Sequence, residues 1–66
     1  MKIRVNGEMV QLEGSLVDLL KNYSIDLSTP RVAVAINETI VFRSEWLTVC
    51  LKEGDQIEII HAIQGG

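Results

Sequence analysis

Residues 31–36 read Arg-Val-Ala-Val-Ala-Ile, and the alternation of side-chain size along them predicts a β-strand with two unlike faces. The larger residues lie on one face: Val32, Val34 and Ile36. This β-branched face is expected to pack against a helix. Ala33 and Ala35 lie on the opposite face, which is flat and uncharged and therefore unusual for a surface in water. We expect a sheet with one covered face and one open face.

Upstream of this strand, the chain is expected to open with a β-hairpin. Ile3 and Val5 alternate with polar residues, which is typical of a half-buried strand. Asn6-Gly7 follows, and both residues tolerate the positive φ angles of a type I′ turn. The alternation resumes at Val10 and Leu12, so a second strand is expected to run back along the first.

An amphipathic helix is predicted next. Ser15 and Asp18 have the spacing of a capping box, in which each side chain bonds the backbone N–H of the other residue. Apolar residues then recur at the i, i+3, i+4, i+7 spacing of one helix face: Leu16, Leu19, Leu20 and Tyr23. Residues 24–30 lose this period and are expected to form a loop. A helix of two to three turns needs a sheet to lie on.

Two further strands are predicted downstream, a short one over residues 39–42 and the longest one over residues 56–63, with a single helical turn over residues 43–46 between them. The order is therefore strand, strand, helix, strand, short strand, long strand. This order predicts an α+β fold in which one main helix packs on one face of a mixed sheet.

On the last strand, Ile57 and Ile59 are assigned to the core. Ile60 and Ala62 then face the other side. If the third and the last strands are neighbours, these two residues lie exposed beside the alanine face of residues 31–36. The sequence therefore predicts an apolar patch on the open face of the sheet.

The length and composition predict one small domain over residues 1–66 that is not an enzyme. Apolar residues make up 47% of the chain, which is enough for a core. A chain of this size buries only about 60% of its unfolded surface, so a deep catalytic pocket beside that core is hard to build. The six Lys and Arg residues are scattered and the net charge is −3. This argues against nucleic acid as a partner and favours a basic face on another protein.

The cysteine count bears on the compartment. With one cysteine, Cys50, the chain has no internal disulfide bond and needs no oxidising compartment. No apolar run is long enough for a signal sequence or for a membrane span of about 20 residues. We therefore expect a cytoplasmic protein that does not bind membranes. One cysteine and one histidine are also too few for a metal site.

Three single residues have both a structural and a functional interpretation. Cys50 stands between Val49 and Leu51, and we expect a small core residue there rather than a reactive thiol. His61 is expected at the surface, because nothing suggests an orienting partner for acid–base catalysis. Trp46 is expected to cap the core rather than to bind a partner.

The sequence ends in Gln64-Gly65-Gly66, directly after the last predicted strand. Glycine lacks a Cβ atom, so this tail (residues 64–66) is expected to be flexible and able to enter a narrow channel of another protein. Extended, it could project roughly 10 Å beyond the folded domain. From these residues alone, a presented α-carboxylate and a frayed chain end are equal alternatives.

Five groups of residues carry a resemblance to a known family: Ala35-Ile36-Asn37, Ile40-Val41-Phe42-Arg43, Trp46, Gly54-Asp55-Gln56-Ile57-Glu58-Ile59 and Gly65-Gly66. With the order of the elements, they resemble the ubiquitin-like β-grasp fold and, more closely, the ThiS family of sulfur carrier proteins in thiamin biosynthesis. The likeness covers essentially the whole chain. One position departs from it, because the family usually has a proline where this chain has Phe42. A phenylalanine there needs burial or a partner.

The resemblance implies a chemistry at the C-terminal carboxylate of Gly66. A ThiF-like adenylating enzyme that uses ATP would activate this carboxylate. A sulfur donor, such as a cysteine desulfurase, would convert the adenylate into a thiocarboxylate, from which thiazole synthase takes the sulfur. The catalytic residues and the ATP site would lie on these partners. The chain itself, monomeric when alone, would be a protein co-substrate that binds no cofactor, with Gly65 supplying the flexibility of the tail.

We expect partners to dock on the open face and the tail, because a contiguous apolar patch usually marks an interface. The residues concerned are Ala33, Ala35, Ile60, Ala62 and Gln64. Other functions stay open. The chain could be a ubiquitin-like protein modifier, a molybdopterin-synthase-type sulfur carrier, or a plain interaction module with an inert tail.

Overall fold

The computed structural model describes residues 1–61, and it begins with the predicted hairpin. Strand β1 (Lys2–Val5) pairs antiparallel with β2 (Glu8–Gln11), so two residues connect them. These are Asn6 and Gly7, with φ angles of 50° and 87°, as the two central positions of a type I′ turn require. The expectations for Ala62, Gln64, Gly65 and Gly66 concern residues outside the described part.

Helix α1 (Leu16–Asn22) begins where the capping box was predicted. The Ser15 hydroxyl accepts a hydrogen bond from the Asp18 N–H at 3.4 Å, and the Asp18 carboxylate accepts one from the Ser15 N–H at 3.0 Å. These bonds satisfy two backbone donors that the first turn of a helix leaves free. The capping box is therefore confirmed.

The helix ends one residue earlier than the apolar stripe implied. Tyr23 is the C-cap residue and is exposed, so its predicted place on the buried helix face was wrong. Ser24 has a φ angle of 62° and turns the chain, which lets the Ile25 N–H bond the Leu20 carbonyl at 2.9 Å. This is the Schellman arrangement. It puts Ile25, rather than Tyr23, into the core.

The remaining strands are β3 (Val32–Ile36), β4 (Thr39–Val41) and β5 (Gln56–His61), with a 3₁₀ turn over Arg43–Glu45 after β4. Among residues 1–61 the sheet has the strand order β2-β1-β5-β3-β4. β5 runs parallel to β1 and antiparallel to β3, so the sheet is mixed. The predicted architecture, one main helix on one face of a mixed sheet, is confirmed.

The core lies between α1 and the covered face of the sheet. Its buried members come from every layer: Ile3, Val5, Leu12, Leu16, Leu19, Leu20, Ile25, Val34, Trp46, Ile57 and Ile59. Val32 and Ile36 pack against this cluster at its edge. The assignments of the β-branched face of residues 31–36, of Ile57 and Ile59, and of Trp46 to the core are thus confirmed.

The core position predicted for Cys50 was wrong, because its side chain is exposed. Its neighbours Val49 and Leu51 are half-buried against the core, so the residue between them points outward. Within residues 1–61, no helix has the length and apolar character needed to cross a membrane.

Candidate docking face and central strand

β5 is the central strand, and the chain continues from it towards Gly66. Its ladder with β1 contains two register pairs, Arg4–Gln56 and Val5–Ile57. Beyond these two pairs, the Asn6 side chain makes the hydrogen bonds to the β5 backbone. Its Oδ1 accepts from the Ile59 N–H at 2.8 Å, and its Nδ2 donates to the Ile59 carbonyl at 3.2 Å. The strand is therefore held on its β1 side up to Ile59.

The other end of β5 is held by a second turn asparagine. Asn37 donates its backbone N–H to the Gln56 carbonyl at 2.7 Å, and its Oδ1 accepts from the Gln56 N–H at 3.0 Å. Its Nδ2 also donates to the Asp55 carboxylate at 3.0 Å. Asn6 and Asn37 share a φ angle of 50°, a conformation that asparagine tolerates better than most residues. The two turns thus hold the strand that leads to the tail.

Apolar side chains line much of the β5-β3-β4 half of the open face, where Glu58 is also exposed. We call this set the open-face strip: Ala33, Ala35, Ile40, Phe42 and Ile60. The register places Ala33 opposite Ile60 and Ala35 opposite Ile40. Ile60 and Ile40 are 51% and 53% exposed, so the strip faces solvent. Of the predicted patch, Ala33 and Ile60 are exposed in the described residues, and the exposed apolar surface extends onto β4.

Ala35 contributes less surface than expected. It is only 7% exposed, because it lies between Ile40 on β4 and Glu58 on β5, its partners in the two ladders. A partner protein placed on the strip would meet the longer side chains around Ala35 first. Ala33, in contrast, is exposed.

Sequence reasoning missed two members of the strip, Ile40 and Phe42. The signal was present, since alternation along residues 39–42 puts these two on the face opposite Val41, which packs against the core. What the sequence did not show was that β4 pairs with β3, in the register that sets Ile40 beside Ala35. Phe42 is 68% exposed, so the fold of this chain does not bury it.

The segment after Phe42 is fixed by its own contacts. Trp46 is buried, and its Nε1 donates to the Val41 carbonyl at 3.1 Å. The Arg43 guanidinium lies 4.5 Å from the centre of the Trp46 ring and donates to the Leu27 carbonyl at 2.9 Å. A cation over an indole face and a buried donor with its acceptor both stabilise the turn. The turn therefore does not need the Phe42 side chain.

The ionisable groups indicate structural roles. The Ser15 backbone N–H lowers the pKa of Asp18, and the Ser28 hydroxyl lowers the pKa of Asp26; both carboxylates cap local backbone turns.

His61 is exposed and pairs with Val32, which puts it on the helix side of the sheet, away from the strip. Residues 1–61 contain no group of three or more His, Cys, Asp or Glu side chains that could hold a metal ion.

Comparisons with known proteins agree with this geometry. The model of the ThiS family matches residues 3–66. A thiazole synthase of Magnetococcus marinus is 39% identical over 72 residues, which cover 100% of this chain and 20% of that protein. The chain thus spans about a fifth of the length of this curated relative.

Two solved structures of a thiamine biosynthesis protein (ThiS) from Geobacter metallireducens have the same fold. The crystal structure has a TM-score of 0.78 and covers 100% of both chains, and the NMR structure has a TM-score of 0.76 and covers 100% of this chain and 88% of the other. Both are 24% identical to this chain, so the likeness concerns the fold. The expected ubiquitin-like β-grasp architecture is confirmed.

Proposed function

The chain belongs to the ThiS family, the sulfur carriers of thiamin biosynthesis, and we propose that it carries sulfur on the carboxyl group of Gly66. The observation that carries this proposal is the family match, which extends through Gly65 and Gly66. The β-grasp fold supports it, because the central strand β5 leads towards these residues. The thiocarboxylate formed on Gly66 would donate sulfur for thiazole formation.

The chemistry begins with an unreactive carboxylate. An oxygen of the Gly66 carboxylate attacks the α-phosphorus of ATP, and pyrophosphate leaves, which produces an acyl adenylate. A sulfur nucleophile then attacks the carbonyl carbon, and AMP leaves with the electron pair of the broken bond. Sulfide gives the thiocarboxylate directly, whereas a persulfide first gives an acyl disulfide that a thiol must reduce.

The catalytic groups for these steps belong to the partners. A ThiF-like adenylating enzyme binds ATP, a cysteine desulfurase or its equivalent supplies sulfur, and a thiazole synthase consumes the product. The chain is their co-substrate, acting in the cytoplasm without a cofactor of its own. The thiazole synthase relative supports the last partner, because a segment similar to this whole chain forms part of that protein.

The open-face strip gives these partners a surface within a limited distance of the reacting group. Ile60 is six residues before Gly66. At 3.3–3.6 Å per extended residue, the Gly66 carboxylate can reach at most roughly 20 Å from Ile60. A partner that docks on the strip must therefore hold its active site within that distance. Ala62 and Gln64 stand between Ile60 and Gly66 in the sequence and are proposed as further contacts.

Intact-mass spectrometry tests the proposal. Incubation with the cognate adenylating enzyme, ATP and a sulfur donor should add the mass of one oxygen-to-sulfur exchange to the chain. The matched control is a variant that lacks Gly66, which should stay unchanged. An unmodified wild-type chain beside an adenylating enzyme shown to be active would refute the proposal. Conjugates to other proteins on a denaturing gel would instead indicate a ubiquitin-like modifier.

A further inference from the structure

Phe42 is the most exposed of the large apolar side chains of residues 1–61 that lie open to solvent. It is 68% exposed, against 53% for Ile40 and 51% for Ile60 on the same face. Leaving an aromatic ring of this size in water forgoes a large part of the stabilisation that its burial would bring. A partner that covers the ring would recover it.

The fold itself does not require a phenylalanine at this position. The backbone of Phe42 has φ −68° and ψ 148°, and a proline adopts the same φ angle. Its N–H makes a long hydrogen bond of 3.4 Å to the Glu45 carboxylate, and the following turn is held by Trp46 and Arg43. The proline that is usual in the family would fit this backbone. Folding therefore gives no reason for the aromatic ring.

The position of Phe42 on the sheet does give a reason for the aromatic ring. Alternation from Val41, which packs on the core, puts Phe42 on the open face with Ile40. The open-face strip then extends from Ile60 on β5, across the alanines of β3, to Ile40 on β4 and Phe42 directly after β4 in the chain. Contiguous apolar surfaces of this kind mark protein interfaces, and aromatic anchors supply a large share of their binding energy.

We propose that Phe42 is the anchor by which this chain docks on its thiazole synthase and that it determines which thiazole synthase the chain serves. The inference rests on the proposed function. One observation singles out the synthase as the occupant: a segment similar to this whole chain forms part of a thiazole synthase of Magnetococcus marinus. The strip also includes Ile60, on the strand that precedes the sulfur-carrying residue in the chain, so a partner docked there lies within reach of that residue.

The test uses two variants at this position and one matched control. Phe42→Ala removes the ring, and Phe42→Pro also restores the residue that is usual in the family. Leu47→Ala is the control, because Leu47 is 67% exposed but lies after the 3₁₀ turn rather than on a strand of the sheet. Circular dichroism checks that all three variants fold, and calorimetry measures their Kd for the cognate thiazole synthase.

Loss of an aromatic anchor weakens an interface by about thirtyfold. Both Phe42 variants should show a rise in Kd of this order with the cognate synthase, whereas Leu47→Ala should bind like the wild type. With a synthase whose own carrier has proline at this position, Phe42→Pro should bind at least as well as the wild type. That reversal is the sign of specificity, and a merely structural role would not produce it.

Unchanged binding of Phe42→Ala to the cognate synthase would overturn the inference. So would a loss of affinity confined to the adenylating enzyme, or sedimentation that shows Phe42 holding two copies of this chain together. These outcomes are separate from the proposed function, which intact mass reports. A wild-type chain that forms the thiocarboxylate while Phe42→Ala binds normally would leave the function standing and remove the role of Phe42.

Discussion

The hydrogen bonds between the Asn6 side chain and the Ile59 backbone predict that Asn6→Gly destabilises the protein more than the same change at Asn37. Both residues have a φ angle of 50° in a two-residue turn, so glycine fits both turns. Glycine also raises the conformational entropy of the unfolded chain by the same amount in both variants. The comparison therefore cancels the backbone effect. What remains is the difference between the hydrogen bonds that each side chain makes.

The expected difference follows from burial. Asn6 satisfies the N–H and the carbonyl of Ile59, a buried residue, through bonds of 2.8 and 3.2 Å that are partly shielded from water. Asn37 bonds the Gln56 N–H and the Asp55 carboxylate in exposed positions, where water can replace it. A hydrogen bond contributes about 1 kcal/mol net, and a shielded group left without a partner costs about 1–3 kcal/mol. Asn6→Gly should therefore cost about 1–3 kcal/mol more than Asn37→Gly.

Urea unfolding followed by circular dichroism measures this difference, provided that the m value is the same in both variants. Amide hydrogen exchange adds a local readout, because the Ile59 N–H should exchange faster in Asn6→Gly and at the normal rate in Asn37→Gly. Equal unfolding free energies together with an unchanged Ile59 exchange rate would refute the reasoning. Asn6 would then be a turn residue without a role in holding β5.

Three further predictions concern single side chains. Glu38 has a φ angle of 71° in an exposed turn, so Glu38→Gly should raise the unfolding free energy by about 1 kcal/mol; a lower melting temperature would contradict this. Trp46→Phe loses the 3.1 Å bond to the Val41 carbonyl and leaves a cavity, which should cost about 2 kcal/mol in urea unfolding, and an unchanged midpoint would speak against it. The pKa of Asp18 is below its ordinary value of 3.8, so its contribution to stability is present above that pH and lost as the pH falls through the lowered pKa. Asp18→Ala should therefore lose less stability than the wild type on acidification, and parallel acid-unfolding curves would exclude this role.

The elements of the fold could be predicted because each depends on neighbouring residues. Positive φ angles at Asn6 and Gly7, and the reciprocal bonds of Ser15 and Asp18, are properties of a few consecutive residues. The prediction for Tyr23 was wrong because the helix ends before the apolar spacing does. Tyr23 continues the spacing of the helix face in sequence, but the turn at Ser24 ends the helix before it.

The sequence by itself predicted a mixed sheet with one helix and an open apolar face. Side-chain alternation and turn geometry depend on a few neighbouring residues, so both can be recognised in the sequence. The tertiary fold alone decided that β5 lies between β1 and β3, which sets Ile60 opposite Ala33. It also decided that Cys50 faces solvent and that Asn6 holds Ile59 across 53 residues of sequence. Strand register and burial depend on contacts between distant segments, and no local pattern specifies which segments meet.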